Sequence, residues 1–281
     1  MDAEIVPEGQ GLVELQSHYV RTRHCMALWG DFGPLYTDYY LHLMQNEIRL
    51  EPEHDAMLKD ALAAMTLHLT ARPRDELSAW TINLNQPVLN LFVTGDSDST
   101  SRPEGERMVG TVCGRVFTRD VKVGPNCLFF AQSKRPRLPD RQSTVEVSGH
   151  DMLRLAEQYY AQSEQLPARY FRLGGDRYGM VVAQPDNDRP WFDGLQVEDV
   201  LRLGETEELS LLETRAYRFG CGCTLDLIHA VIAPMARASM EELFEGEASL
   251  RIQCPRCGGR FHVTQEGVRA WLDAHPPSKP A

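Results

Sequence analysis

Three stretches in the first two thirds of the chain repeat apolar residues every three or four positions, which is the spacing of an amphipathic helix. The clearest covers residues 56–69, where Met57, Ala61, Leu62, Met65 and Leu69 would share one face. Residues 35–45 and 150–163 have similar spacing. The pattern therefore predicts three helices in this part of the chain.

Trp80, Ile82 and Leu84 alternate with polar residues, which is typical of a β-strand with one buried face. Six further short apolar runs are predicted as strands, at residues 88–94, 109–118, 127–131, 144–147, 169–173 and 180–183. Turn-forming residues such as Gly95 and Asp96 punctuate the runs. Because helices and antiparallel-looking strands occur in separate runs, we predict the α+β fold class, with a mixed α/β domain and an antiparallel sheet over residues 1–184.

Residues 185–214 differ from the preceding part in charge, since they contain nine acidic residues and two basic ones. A thin apolar stripe remains, which includes Trp191, Phe192, Leu195 and Leu203. Self-repulsion makes such a segment marginal on its own, but its apolar content is too high for a free tether. We predict an acidic, metastable helical linker that folds conditionally by resting on another domain.

Residues 215–281 are predicted to form a small C-terminal module. Helical spacing from Leu225 to Met235 is followed by Ser239-Met240-Glu241-Glu242, which resembles a capping box opening a second short helix. Short strands are predicted at 250–252 and 261–263, with a last helix around 268–272. A module of this size has little core and usually needs a covalent or metal crosslink.

Four of the seven cysteines lie in this module, as Cys221-Gly222-Cys223 and Cys254-Pro255-Arg256-Cys257, with thirty residues between the two pairs. Two close thiol pairs suit Zn²⁺, which takes four thiolates at about 2.3 Å. Gly258 and Gly259 can adopt positive φ, so that backbone N–H groups can face the sulfurs. We predict a zinc site formed by Cys221, Cys223, Cys254 and Cys257, whose metal would contribute roughly 10 kcal/mol or more to folding of the module.

The remaining cysteines, Cys25, Cys113 and Cys127, lie in apolar runs and are interpreted as small buried hydrophobic side chains. His229 and His262 could replace a sulfur ligand, but with four thiols available we interpret them as surface or core histidines.

Three roles remain open for the thiol site. The commonest is a purely structural zinc knuckle. A redox sensor is the second, because each pair can close its own local disulfide and expel the metal. A thioredoxin-like dithiol is disfavoured, because Cys257 is followed by Gly-Gly and a strand pattern and not by a helix that could lower a thiol pKa.

Charge and composition restrict the class of partner. The chain has 281 residues and a formal net charge of −11. This charge argues against nucleic acid or an anionic membrane as the main partner. No stretch approaches the roughly 20 apolar residues of a membrane span, and the acidic start at residues 1–8 lacks the order of a signal peptide. With an odd cysteine count that does not fit a secreted disulfide framework, we predict a cytoplasmic protein.

Two motifs resemble the heat shock protein 33 family of redox-activated, ATP-independent chaperones. One is Phe219-Gly220-Cys221-Gly222-Cys223-Thr224, followed after thirty residues by Cys254-Pro255-Arg256-Cys257 and Phe261. The other is the stretch at 159–168, YYAQSEQLPA, which is similar to the family's Tyr-x-x-x-Ser-Glu-Gln-x-Pro-Thr signature and which we interpret as structural. The order of α+β domain, acidic segment and thiol module is similar as well.

The chain departs from the family pattern in places, so that the resemblance is to a divergent member. Thr224-Leu225-Asp226-Leu227 follows the first cysteine pair, where the family usually has Ser and charged residues. The family's Gly-x-x-Arg-Gly stretch is matched only loosely by residues 110–115.

The resemblance implies one zinc ion per chain in the reduced state, held by the four module cysteines. It implies the disulfides Cys221–Cys223 and Cys254–Cys257 after oxidation, and a homodimer of the oxidised protein. It also implies that unfolding of the module and the 185–214 segment exposes a surface for unfolded client proteins.

We therefore predict a redox-regulated holdase that binds unfolding proteins under oxidative stress, and not an enzyme. No phosphate-cradling glycine motif supports an ATP-driven cycle. The alternative is a zinc-ribbon binding module that contacts nucleic acid or a protein partner without a redox switch. The balance of eight basic and seven acidic residues over 215–281 gives the nucleic-acid version little support.

Overall fold

The structure is a computed structural model that describes residues 11–97 and 109–276. The acidic start at 1–8, on which part of the localisation prediction depends, lies outside the described residues.

Ten strands form one large sheet in the order β7-β6-β3-β4-β5-β10-β1-β2-β9-β8. Every neighbouring pair in it is antiparallel except β5 and β10, which run parallel. The prediction of a sheet that is mainly antiparallel is therefore confirmed. The strands are β1 (Val13–Val20), β2 (Cys25–Asp31), β3 (Leu77–Asn85), β4 (Val88–Asp96), β5 (Val109–Phe117), β6 (Cys127–Lys134), β7 (Arg141–Val147), β8 (Ala168–Arg172), β9 (Arg177–Ala183) and β10 (Leu209–Phe219).

Helices follow the predicted spacing. The two predictions nearest the N-terminus are confirmed as α1 (Gly33–Gln45) and α2 (Pro52–Ala71), and the third begins as α3 (Met152–Tyr159) and ends in a π-helical turn, Tyr160–Glu164. The acidic segment contains α4 (Arg189–Gly194), α5 (Val197–Leu201) and α6 (Leu203–Thr206). The C-terminal part contains α7 (Leu225–Ala238), α8 (Met240–Phe244), α9 (Gln265–Ala274) and the hairpin of β11 (Ser249–Gln253) and β12 (Arg260–Thr264).

The main core lies between one face of the sheet and the helices α1, α2 and α3. Alternate residues of the strands point to opposite faces, so the strands β1, β2, β8 and β9 contribute to two cores. In β9, for example, Met180 and Val182 belong to the main core, whereas Val181 and Ala183 face a second cluster on the opposite side. The sheet therefore has a second apolar face that something must cover.

The acidic segment covers that second face. Its buried side chains Phe192, Leu195, Val200 and Leu203 pack against Ala27 of β2 and apolar residues of β8 and β9. Two arginines of the β1–β2 turn compensate part of its charge. Arg23 pairs with Asp188 at 2.6 Å and with Glu207 at 3.0 Å, and Arg21 pairs with Glu208 at 3.3 Å. The segment is thus docked on the N-terminal sheet, as its apolar stripe predicts.

The sequence analysis missed β1 and β2 and did not predict the strand β10. In β1 the alternation of Val13 and Leu15 is interrupted at Ser17–His18, where the pairing with β10 shifts register. β10 fills the space between β1 and β5, whose facing backbone groups would otherwise lack partners. The predicted helices of the acidic linker end at Thr206, and its last six residues, Leu209 to Thr214, belong instead to β10.

The division into domains at 1–184, 185–214 and 215–281 stays a prediction. The boundary between 214 and 215 falls inside β10, which belongs to the large sheet along its whole length.

The Ser-Glu-Gln stretch has a structural role, as the sequence analysis interprets it. Glu164 accepts a hydrogen bond from the Tyr159 hydroxyl at 2.5 Å and pairs with Arg72 at 2.9 Å. Gln165 then adopts a left-handed conformation with φ of 56°, which ends the helix before Pro167. The motif anchors the end of α3 to the C-terminal end of α2.

None of the helices that the structure describes is long and apolar enough to cross a membrane.

Candidate metal centre

The second cysteine pair lies in a tight turn between β11 and β12. The N–H of Gly258 donates to the carbonyl of Cys254 at 2.9 Å, and the N–H of Cys254 donates to the carbonyl of Gly259 at 2.8 Å. Gly258 has φ of 77°, which favours glycine, and the N–H of Gly259 donates to Sγ of Cys257 at 3.4 Å. The prediction is confirmed in part, because Gly258 adopts the positive φ and Gly259 supplies an N–H that faces sulfur, whereas Gly259 itself does not have positive φ.

The first pair reaches the same point from the end of β10. The Sγ atoms of Cys221, Cys223, Cys254 and Cys257 all lie within 4.8 Å of one another. The shortest distances run between the pairs, 3.6 Å from Cys221 to Cys254 and 3.5 Å from Cys223 to Cys257. The structure therefore brings together all four cysteines on which the metal prediction depends.

The arrangement fits a tetrahedral zinc ion. Four sulfurs at about 2.3 Å from one ion lie about 3.8 Å apart from each other, and the observed spacing is close to that. Cys254 and Cys257 are buried and Cys221 and Cys223 are half-buried, so the site is closed in the manner of structural zinc sites. These four thiols could hold one metal ion.

Neither histidine considered as an alternative ligand belongs to the group of four. His229 is buried in the module and forms a ring contact with Trp271, and His262 is exposed. The interpretation of His229 as a core residue and of His262 as a surface residue is confirmed.

Thiol–thiol contacts dominate the electrostatics of the cluster. A hydrogen bond from Cys113, followed by one from Cys257, lowers the pKa of Cys221. The same bonds raise the pKa of Cys113 and of Cys257, while burial raises the pKa of Cys223. Cys221 is therefore the thiol of this group that most readily gives up its proton, and a metal ligand must be a thiolate.

The cysteine turn is docked on the N-terminal domain through its own backbone. Nε2–H of His42 donates to the carbonyl of Cys257 at 3.0 Å, and its Nδ1 accepts from the Asn46 amide at 3.3 Å. Arg115 of β5 donates to the carbonyl of Cys254 at 3.2 Å and to the side-chain carbonyl of Gln253 at 2.8 Å. The thiol site and the α+β domain are thus mechanically connected.

A second set of contacts lies beside these. Asn46 Oδ1 accepts from the N–H of Arg260 at 2.7 Å, and Glu47 pairs with the Arg260 guanidinium at 2.5 Å. A Cβ on Gly258 would lie 2.9 Å from Cδ1 of Ile48, so the turn needs glycine here for its close approach to the N-terminal domain.

Sequence reasoning missed His42, Asn46, Glu47, Cys113 and Arg115 as neighbours of the site. They lie more than a hundred positions from the cysteines of the turn, and no local pattern marks them. The weak match at 110–115 is the one signal that pointed to this region, since it contains both Cys113 and Arg115.

Replacing Arg115 with alanine should loosen the cysteine turn. The variant loses two charge-assisted hydrogen bonds, of which one is worth about 2 kcal/mol, so amide exchange in residues 254–259 should become at least roughly 10-fold faster. Hydrogen–deuterium exchange measures this directly. Arg119→Ala, which removes an exposed arginine that lines one surface cavity together with Arg115, is the matched control and should leave the turn unchanged. Equal protection in both variants would contradict the docking role of Arg115.

Comparisons with known proteins agree with the geometry. A family model described as Hsp33 protein matches residues 186–264, which contain the acidic segment and all four cysteines of the site. The 33 kDa chaperonin of Aliivibrio salmonicida is 28% identical to the chain, in a match that covers 73% of this chain and 78% of that relative. The 33 kDa chaperonin of Photobacterium profundum is also 28% identical, in a match that covers 76% of this chain and 81% of that relative. The 33 kDa chaperonin of Pectobacterium carotovorum is 25% identical to the chain, in a match that covers 46% of this chain. That match spans about half of the relative, 53% of its length.

The fold is shared as well. The crystal structure of a 33 kDa chaperonin, a heat shock protein 33 homologue from Thermotoga maritima, superposes with a TM-score of 0.66 at 14% identity, covering 93% of this chain and 98% of that one. At that identity the likeness concerns the fold alone. Taken with the family match at the cysteine module and the acidic segment, these findings show that the chain is similar to proteins of the heat shock protein 33 family.

Proposed function

We propose that this protein is a redox-regulated, ATP-independent holdase that binds unfolding proteins in the cytoplasm under oxidative stress. The observation that carries the proposal is the combination of a four-thiol site with an acidic segment that covers an apolar sheet face. The names of the relatives support the chaperone class.

Zinc is the metal that the donor set favours, because four sulfur ligands in a small closed site are typical of it. Cys221, Cys223, Cys254 and Cys257 would hold it in the reduced protein. The bound ion would neutralise part of the thiolate charge and crosslink β10 to the β11–β12 turn. The residues of this chain then keep the crosslinked turn against α1 and β5 through His42 and Arg115.

The module depends on that crosslink because its own core is small. Its buried apolar cluster consists of Ile228, Ile232, Ala236, Phe244, Val263 and Val268. Oxidation of the thiols to the proposed disulfides Cys221–Cys223 and Cys254–Cys257 would release the metal and remove most of the stabilisation of the module.

The acidic segment is the second labile part. Its helices α4, α5 and α6 have six, five and four residues, which is too short for stability without docking. Release of the segment would uncover Ala27, Phe171, Leu173 and Val181, an apolar face suited to extended, unfolded clients and to a second copy of the chain. The proposed client surface is therefore this face of β2, β8 and β9.

The test is to treat the reduced, zinc-loaded protein with peroxide under mild heat and to follow zinc with a chromophoric chelator. We expect one zinc ion per chain to be released, and the treated protein to suppress aggregation of a denatured client without ATP. The untreated protein is the control. Zinc retained after thiol oxidation, or equal suppression before and after treatment, would contradict the proposal.

A further inference from the structure

The side of helix α7 that faces away from the module core is an unbroken apolar surface. Its residues recur at three- and four-residue steps, and all six are exposed: Leu227, Ala230, Val231, Pro234, Met235 and Ala238. We call this set the outer stripe. Val231, near its middle, is 75% exposed. Contiguous apolar surface marks an interaction site, whereas single exposed apolar residues do not.

Helix α7 is therefore apolar on two opposite sides. Its inner side contains Ile228, Ile232 and Ala236, which belong to the buried core of the module. Within the part of the chain that the structure describes, the main neighbours of α7 are α8, α9 and β12, and they leave the outer stripe exposed. Because a helix that is hydrophobic all round is normally buried, a further surface is needed to cover the stripe.

Two charged residues lie beside the stripe, one near each end. Asp226 and Arg237 are both exposed, and they are eleven positions apart, which is close to three helical turns. Both therefore lie on the same side of α7. Asp226 accepts from the indole N–H of Trp271 at 2.5 Å, and Arg237 donates to the carbonyl of His275 at 2.5 Å. Each charged group keeps hydrogen-bonding atoms for a partner, since a carboxylate has a second oxygen and a guanidinium has further N–H groups.

The stripe and its two charges are complementary to themselves. If two copies of α7 pack antiparallel about a two-fold axis near Val231, Asp226 of each copy lies across from Arg237 of the other, because Val231 is about halfway between them. A parallel pair would place like charges opposite each other, which is unfavourable. A two-fold contact between identical subunits requires a self-complementary patch of this kind.

We propose that the reduced protein forms a weak homodimer through an antiparallel pair of α7 helices. The outer stripe of each copy covers that of the other, and two ion pairs between Asp226 and Arg237 fix the orientation. A contact between two 14-residue helices buries less than the about 1,600 Å² of a standard interface, so the dissociation constant should lie in the micromolar range.

This contact is separate from the client surface of the proposed function. The client surface lies on β2, β8 and β9 beneath the acidic segment, whereas the outer stripe is exposed in the folded chain. The inference depends on a folded module, but not on thiol oxidation or on chaperone activity. A reduced protein that is monomeric would therefore leave the proposed function intact.

Analytical ultracentrifugation of the full-length, zinc-loaded protein tests the inference, with a phosphine reductant present so that no disulfide joins two chains. We expect a monomer–dimer equilibrium in the micromolar range. In Val231→Glu two carboxylates meet near the two-fold axis, so dimerisation should weaken at least about 10-fold. Val123→Glu is the matched control, because it makes the same change at a valine that is 60% exposed between β5 and β6. It should associate like the wild type.

Charge reversal tests the antiparallel orientation. Asp226→Arg and Arg237→Asp each bring like charges together across the contact and should weaken dimerisation, whereas the double variant should restore it. Each single variant also loses one hydrogen bond inside its own module, and the double variant loses both. Recovery in the double variant can therefore come only from the contact between the two copies.

A wild type that stays monomeric throughout this range would overturn the inference, and so would a dimer that Val231→Glu leaves unchanged. A dimer that Val231→Glu abolishes but the double charge reversal does not restore would overturn the antiparallel arrangement. Zinc content shows whether each variant retains its folded module. If Val231→Glu lost its zinc, Met235→Glu would repeat the comparison at a second exposed side chain of the stripe.

Discussion

Replacing Phe192 with aspartate should make the reduced protein suppress client aggregation without any oxidant. Phe192 is 2% exposed and is the largest fully buried side chain that the acidic segment inserts into the second cluster. Removing a buried phenylalanine costs about 3–5 kcal/mol, and a buried carboxylate without a partner adds to that cost. Short helices that depend on docking cannot compensate such a loss, so the segment should detach.

Cys25 reports whether the segment has detached. It lies beneath the segment with an exposed fraction of 0%, and burial raises its pKa to about 11. In the reduced wild type it should therefore react slowly with maleimide, and in Phe192→Asp it should react many-fold faster, as followed by peptide mass spectrometry. The client assay is run on the same samples.

Leu201→Asp is the matched control, because it makes the same kind of change in the same segment at a side chain that is 48% exposed. It should leave Cys25 labelling and client aggregation as in the wild type. Rapid labelling of Cys25 in Phe192→Asp without any suppression of aggregation would contradict the assignment of the sheet face as the client surface.

Replacing Cys257 with serine should unfold the C-terminal module while leaving the large sheet folded. Serine is a poor ligand for a soft metal, so the site loses one of four sulfurs and with it much of the roughly 10 kcal/mol that structural zinc contributes. The six buried side chains of the module core cannot replace that free energy.

Two measurements check this result. Zinc content should fall from one ion per chain towards zero, and hydrogen exchange in α7, α9 and β12 should approach the unprotected rate. Trp271 of α9, whose indole N–H donates to Asp226 at 2.5 Å, should show the red-shifted fluorescence of a solvated ring. Cys127→Ser changes a half-buried cysteine outside the site and should retain the metal and the module. A module that keeps its exchange protection without zinc would contradict the crosslink role.

The chemistry of the thiol site could be read from local sequence. In the second cysteine pair, the short intervening loop and the two glycines that follow form a turn in which Gly258 has positive φ and the N–H of Gly259 faces the sulfur of Cys257. Periodicity predicted α1, α2 and α7 within a few residues, because each has a continuous apolar stripe that one neighbouring surface covers.

The residues that surround the site could not be predicted from local sequence. The β5–β10 pairing joins residues about a hundred positions apart, and Arg115 of β5 reaches the carbonyl of Cys254 across 139 positions of the chain. Leu209 to Thr214 read as part of an acidic linker because charge dominates the local pattern. Pairing with the unpartnered edge of β1, from Val20 to Gln16, made them a strand.

The sequence by itself thus predicted the four cysteines that the structure brings together and the α+β class, since each follows from a local pattern of residues. The tertiary structure alone decided which face the segment covers and which residues dock the cysteine turn. These depend on strand order and register, which are set by the packing of the whole sheet and not by any local pattern.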